Sequence, residues 1–179
     1  MKKLATIAGI VSAGAFVVLA YKYLFKNGND MSATNNTSTS KGEGNLPRGY
    51  RNNNPLNIRI NLVNNWQGKV SPNTDGAFEQ FTSMAYGFRA AFILIRNYIN
   101  NYGLTTVQAI IGKWAPNNEN NTAGYISAVC GSTGFLPNTV INPYNREQMG
   151  KLVYAMAIVE NGYAPNWYDV NSGWNLYIG

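Results

Sequence analysis

Nineteen consecutive residues, Asn27 to Asn45 ("NGNDMSATNNTSTSKGEGN"), carry no aromatic and no branched aliphatic side chain. A stretch like this cannot bury enough apolar surface to offset the conformational entropy of ordering it, so it is expected to be a flexible polar tether. It divides the chain into three parts. Residues 1–26 are an apolar leader, 27–45 the tether, and 46–179 the only part able to build a core.

The leader begins with two lysines and continues as an uncharged run from Leu4 to Tyr21, with "YLF" following Lys22. That length suffices for one membrane-spanning helix over residues 4–25 if Lys22 reaches back to the interface, and "YKYLFK" has the character of an interfacial anchor. A cleaved signal peptide is the competing reading, because Ser12 to Gly14 resembles a cleavage site, though it would leave a very short apolar core. The expected localisation is therefore single-pass and membrane-anchored. Lysines flank the run on both sides, so charge does not decide topology.

Absences narrow the chemistry. The 179 residues include no histidine, which removes Ser-His and Cys-His nucleophilic machinery and the imidazole-held zinc hydrolases. Cys130 is the only thiol, so no intrachain disulfide can form. No cofactor or metal is called for. Catalysis, if present, must draw on eight carboxylates, tyrosine, lysine or the abundant amides. A formal charge of +6 favours an anionic partner such as nucleic acid, anionic lipid or peptidoglycan. Nucleic acid is disfavoured, because Lys and Arg are dispersed and much of the charge flanks the leader.

Within residues 46–179 the pattern is mainly α with a small β element, an α+β reading. "RGYRNNNPLNIR" (Arg48 to Arg59) reads as an ordered loop, and Trp66 to Phe81 as a short hairpin turning at Asp75-Gly76. Met84 to Tyr102 reads as a central buried helix stopped at Gly103. A second helix spans Thr105 to Trp114, with Val107, Ile110, Ile111 and Trp114 at helical spacing. Thr122 is expected to cap a short helix ending at Gly131, and Asn145 with Gln148 to open a helix over Arg146 to Glu160. The aromatic tail "YAPNWYDVNSGWNLYIG" is left open between core packing, a sugar subsite and a contact with a neighbour, packing being the default.

Glu160 is the residue that stands out. Met149, Leu152, Val153 and Met156 form the apolar stripe of the last helix, and position 160 continues that stripe. Desolvation, apolar neighbours and the negative end of the helix dipole would all raise its pKa, leaving an acid able to protonate a glycosidic oxygen. The alternative is a carboxylate that turns outward at a frayed helix end, and the pattern leaves both open.

Order adds what pattern does not. "NNPLNIR", "WQG", "FEQFTSMAYGFRA", "WAPNNENNTAGYISAV" and "AIVENG" resemble, in this succession, small phage lytic proteins of the virion-associated lytic transglycosylase type. They are also similar to pieces of flagellar-type glucosaminidases, whose glutamate helix stands first, whereas here it comes last. The resemblance implies a circularly permuted, lysozyme-like domain that cleaves the MurNAc–GlcNAc bond of peptidoglycan. "NGY" follows the glutamate where those enzymes favour "SGW".

By position, the resemblance implies Glu160 as general acid and Tyr125 as the tyrosine across the cleft. Glu119 is the best partner carboxylate, or else a helix cap. Glu79 and Asp75 are assigned to the hairpin, Glu79 at its surface. If Glu119 does not reach the cleft, a transglycosylase mechanism is favoured, in which one glutamate serves as acid and then base. Asn57 and Arg59 could bind the acetamido and lactyl groups; Asn57 holding its own loop and Arg59 as a solvated charge are the alternatives. Expected partners are glycan strands, a lipid membrane through residues 4–25, and other virion proteins. The rival reading is a non-catalytic structural or wall-binding protein of the same fold.

Overall fold

In the computed structural model the described residues are 46–179, and they form six helices. These are α1 (Arg48–Arg51), α2 (Met84–Tyr102), α3 (Val107–Trp114), α4 (Thr122–Thr133), α5 (Arg146–Asn161) and α6 (Trp167–Ile178). Asparagine and threonine side chains open four of them. Thr106, Asn121, Asn145 and Asn166 each accept a hydrogen bond from a backbone N–H of the first turn. Glycines in left-handed conformation close α2, α4 and α5 at Gly103, Gly134 and Gly162.

The expected boundaries shift slightly at two caps. Thr106 rather than Thr105 caps α3, and Asn121 rather than Thr122 caps α4, which runs on to Thr133. Thr122 is instead buried, its hydroxyl donating to the Ala115 carbonyl. The aromatic tail, for which no helix was expected, forms α6.

Two expectations are corrected. Residues 4–25, the segment read as a membrane anchor, lie outside the described residues, and among the described residues no helix is long and apolar enough to cross a membrane. The most apolar long helix, α2, spans 19 residues but carries Arg89 and Arg96 along with three asparagines. The α+β, lysozyme-like architecture with a hairpin behind a transmembrane helix, and the single-pass localisation, therefore give way to a mainly helical domain.

The expected hairpin over Trp66 to Phe81 is reduced, among the described residues, to one antiparallel bridge rather than a pair of strands. Isolated antiparallel bridges join Arg59 to Phe78, Lys69 to Phe81 and Thr106 to Val140. Backbone pairing stops after one pair of bonds on each side, from Glu79 and Ile60 N–H to the Ile58 and Ala77 carbonyls and from Val70 and Thr82 N–H to those of Gln80 and Gly68, and side chains satisfy neighbouring groups instead. Asn54 donates to the carbonyls of Ile58 and Glu79 while accepting from the Ile58 N–H. Asp75 accepts from the N–H groups of Ala77 and Phe78, and Gln80 accepts from that of Thr74. Backbone groups satisfied by neighbouring amides and carboxylates do not need a strand partner.

The core forms where α2, α5 and α6 meet. Gly173 lets α6 press onto α2, since a Cβ there would stand 2.5 Å from that of Phe88. Phe92 then meets Trp174 edge-on at 5.3 Å between ring centroids. Met149, Leu152, Val153 and Met156 of α5 are completely buried, so the apolar stripe read from the sequence is the buried face. Helix α5 lies chiefly against α4 and α6 and touches α2. Burial of each such side chain contributes about 1.5–3 kcal/mol, which fixes the far end of α5, where Glu160 stands.

Candidate functional site

Glu160 occupies the last turn of α5, facing a cleft of about 450 Å³. The cleft walls come from separate parts of the chain. They are residues 56–61, Asn64 and Phe78 from the first loops, Leu94 and Tyr98 from α2, and Trp114, Ala115, Glu119 and Asn120 from the end of α3 and the loop after it. Four asparagines line it, at 57, 61, 64 and 120, so its polar surface is largely neutral amide.

Three donors converge on the carboxylate. The indole N–H of Trp114 donates to Oε1 at 2.9 Å, and the Tyr125 hydroxyl donates to the same oxygen at 3.1 Å. Asn57 Nδ2 donates to Oε2 at 3.2 Å. Each donor is fixed by its own element. Trp114 closes the apolar stripe of α3, Tyr125 is buried in α4, and Asn57 sits at a left-handed backbone position (φ 49°) that asparagine tolerates well.

No cation lies among these donors, so burial dominates the electrostatics. It raises the Glu160 pKa above the ordinary carboxyl value, while the bonds from Trp114, Asn57 and Tyr125 pull it part of the way back. Burial likewise pushes the Tyr125 hydroxyl well above its usual range, with the adjacent carboxylate adding to the effect. Tyr125 therefore remains a neutral donor throughout the physiological range. The result is a protonatable carboxyl, oriented at both oxygens, at the mouth of a cleft.

The remaining sequence candidates fall as follows. Arg59 lines the cleft at its exposed rim, with its guanidinium 5.5 Å from the centre of the Phe78 ring. Arg48 lies over the same ring at 4.3 Å but is bound to Asp75 through two bonds of 2.7 Å. Glu119 lines the cleft from an exposed loop and does not cap α4, a role Asn121 fills. Glu79, expected at the surface, is completely buried. Lys69 Nζ stands 3.0–3.1 Å from both of its oxygens, and the Asn61 N–H donates to Oε1. The hydrophobic neighbours Phe78 and Phe81 suggested a turn, but not a buried ion pair beneath it.

Sequence reading missed two residues of the site. Trp114 was read only as the last apolar position of its helix, and its indole N–H gives no periodic signal. Asn161 was read as a helix stop. Its Nδ2 donates to the carbonyls of Pro55 at 2.7 Å and Ala157 at 3.0 Å, tying the end of α5 to the "NNPLNIR" loop. Among the described residues, no group of three or more His, Cys, Asp or Glu side chains could hold a metal ion.

No protein-family model matches the chain. It is similar to Protein P5 of Pseudoalteromonas phage PM2, with 38% identity over 135 residues, which covers 73% of this chain and 82% of that protein.

Proposed function

The chain belongs to the family of Protein P5 of Pseudoalteromonas phage PM2, and from that premise we propose that it is a virion-associated, peptidoglycan-cleaving enzyme used in host entry or lysis. The observation that carries this reading is Glu160, a carboxyl raised by burial and held by three neutral donors at an amide-lined cleft. Amides suit the hydroxyl and acetamido groups of an amino sugar. Arg59 at the rim suits the lactyl and peptide carboxylates of MurNAc.

In the proposed reaction the protonated Glu160 delivers its proton to the glycosidic oxygen as the bond from the MurNAc anomeric carbon breaks. General acid catalysis of this kind contributes about 10²–10⁴-fold. The Glu119 carboxylate makes no hydrogen bond or ion pair among the described residues and stands in an exposed loop, unlike a carboxylate positioned to activate water. The favoured second half therefore uses the sugar itself. The Glu160 carboxylate takes the proton of the 6-hydroxyl as that oxygen attacks the anomeric carbon, which regenerates the acid and leaves a 1,6-anhydro end without consuming water. Trp114 and Tyr125 keep Oε1 in place through both halves.

The test is mass spectrometry of muropeptides released by the full-length chain. Anhydro ends are expected. Reducing ends would replace the transglycosylase step by hydrolysis and give Glu119 the role of base. No release of fragments, with the strands retained on the protein, would instead support a non-catalytic wall-binding role.

A further inference from the structure

Two amide oxygens near Glu160 are buried without a hydrogen-bond partner: Asn57 Oδ1 and Asn161 Oδ1. Both converge on Gly49. A Cβ built there would lie 3.0 Å from the first, 2.3 Å from the second and 2.8 Å from the Asn54 carbonyl oxygen. The three atoms nearest the space this glycine leaves are therefore all acceptors, and of them the Asn54 carbonyl already accepts from the Asn57 backbone N–H at 3.0 Å. An orphaned buried acceptor costs about 1–3 kcal/mol, so the two amide oxygens that remain in this small pocket call for a reason.

Asn161 cannot relieve the conflict by rotating. Its Nδ2 makes bonds of 2.7 and 3.0 Å to two carbonyls, both of which would face an oxygen after a flip. Asn57 can. Rotated by half a turn, its Nδ2 would turn toward Asn161 Oδ1 and the Asn54 carbonyl, and its Oδ1 would face Glu160 Oε2, at the loss of a long 3.5 Å bond from Nδ2 to the Glu160 main-chain carbonyl. An acceptor facing Oε2 is tolerable only if that oxygen carries a proton. The other oxygen, Oε1, already receives two donors and is best suited to remain the carbonyl oxygen.

We propose that Asn57 and Asn161 form a proton-coupled amide switch, with Asn161 as a positioning residue acting through Asn57. With Glu160 ionised, Asn57 donates to Oε2 and the acceptor pocket is unsatisfied. With Glu160 protonated on Oε2, Asn57 turns over, accepts that proton's hydrogen bond, and satisfies the pocket. The pocket thus stabilises the acid form and assigns Oε2 as the oxygen that delivers its proton. Among other titratable or charged groups, Tyr125 of α4 contacts Glu160, and Tyr98 of α2, Arg59 and Glu119 line the same cleft. The use of the switch in catalysis rests on the proposed role of Glu160, whereas the switch itself is measurable without substrate.

Nuclear Overhauser contacts of the Asn57 side-chain amide protons, followed by NMR across the Glu160 titration of the full-length chain, test it. Below the midpoint these protons should contact the Gly49 α-protons; above it they should lose that contact and approach the Glu160 side chain. In Glu160→Gln, where the new amide N–H stands at the Oε2 position, the Gly49 contact should persist at every pH. Asn161→Ala should lower the Glu160 midpoint by about one pH unit, the equivalent of a single hydrogen bond. Amide protons that face residue 160 at all pH values in both proteins would overturn the switch. If the contacts alternate as expected yet the enzyme releases no fragments, the switch stands and the reading of Glu160 as a catalytic acid falls.

Discussion

Glu79 and Glu160 are both drawn away from bulk solvent, yet their surroundings prepare them for opposite tasks. Glu79 is fully buried beneath the 58–81 segment and meets the Lys69 ammonium at 3.0 Å. Glu160 meets an indole N–H, a phenol and an amide, each able to orient a carboxyl and none bringing a full charge. A neighbouring cation compensates a buried carboxylate and fixes it as a structural ion, whereas neutral donors leave burial in control and the proton within reach. Depth alone does not distinguish the two; the charge of the partner does.

The sharpest way to break this comparison is Glu160→Gln, which keeps the shape and most of the hydrogen bonding but has no proton to deliver. Peptidoglycan cleavage should fall at least about 10⁴-fold. The effect on stability follows from the raised pKa. Because the folded state holds the proton more tightly than the unfolded chain, stability falls as pH rises from the ordinary carboxyl value through the raised one. The Glu160→Gln protein should lack this loss and melt at or above the wild-type temperature near neutral pH. A variant that still clears cell walls at the wild-type rate would remove Glu160 from the chemistry.

Lys69→Met makes the complementary perturbation. It leaves the buried Glu79 without its cation, and breaking such a pair from one side costs about 3–5 kcal/mol. Urea unfolding should show the loss, and Glu79→Leu in the same chain should recover much of it, because two apolar side chains leave no stranded charge. Cleavage by the folded fraction should persist, since the Glu79 carboxylate touches the cleft lining only through the Asn61 N–H.

Asp75 tests the loop that carries Asn57 and Arg59. It binds Arg48 and accepts from Asn52, Ala77 and Phe78, bonds that hold its carboxyl well below the usual range, the Arg48 bond contributing most. A depressed folded-state pKa contributes stability above the ordinary carboxyl value that is lost as pH falls through the folded one. Asp75→Asn should therefore cost about 1–2 kcal/mol at neutral pH, comparable to the loss of a capping side chain. Its penalty should shrink in acid. A pH-independent penalty would mean that geometry alone, not charge, secures the loop.

What the sequence revealed and what it hid follow the same divide. Helix α2 was legible as a long apolar run without proline, α3 and α5 because their apolar residues recur at helical spacing, and α5 carried Glu160 to the edge of the buried stripe. The α6 helix was not, because glycine, asparagine and aromatics blur its periodicity, and only packing of Trp174 and Tyr177 on Phe92 settles it. The hairpin shrank to a single bridge because two phenylalanines beside an Asp-Gly turn look the same whether a full ladder or a set of side-chain amides and carboxylates satisfies most of the backbone. Among site residues, Glu160 broke a pattern and could be found from it. Trp114 and Asn161 fitted theirs, and only their three-dimensional partners reveal what they do.

The smallest expected effect separates the two donors on Oε1. Trp114→Phe removes one N–H and keeps most of the ring that packs against Tyr98 and the second, smaller apolar cluster. Losing a donor to the ionised form should raise the Glu160 pKa further, so the limb of the pH–rate profile governed by this acid should move to higher pH. The rate at the optimum should fall only about tenfold, because Tyr125 still holds Oε1. Tyr125→Phe should move the same limb in the same direction, and the double variant should lose more than the product of the two single losses, since each donor supports the oxygen the other abandons. Multiplicative losses would mean that the two donors act independently, and that Oε1 is not held as a single, doubly anchored atom.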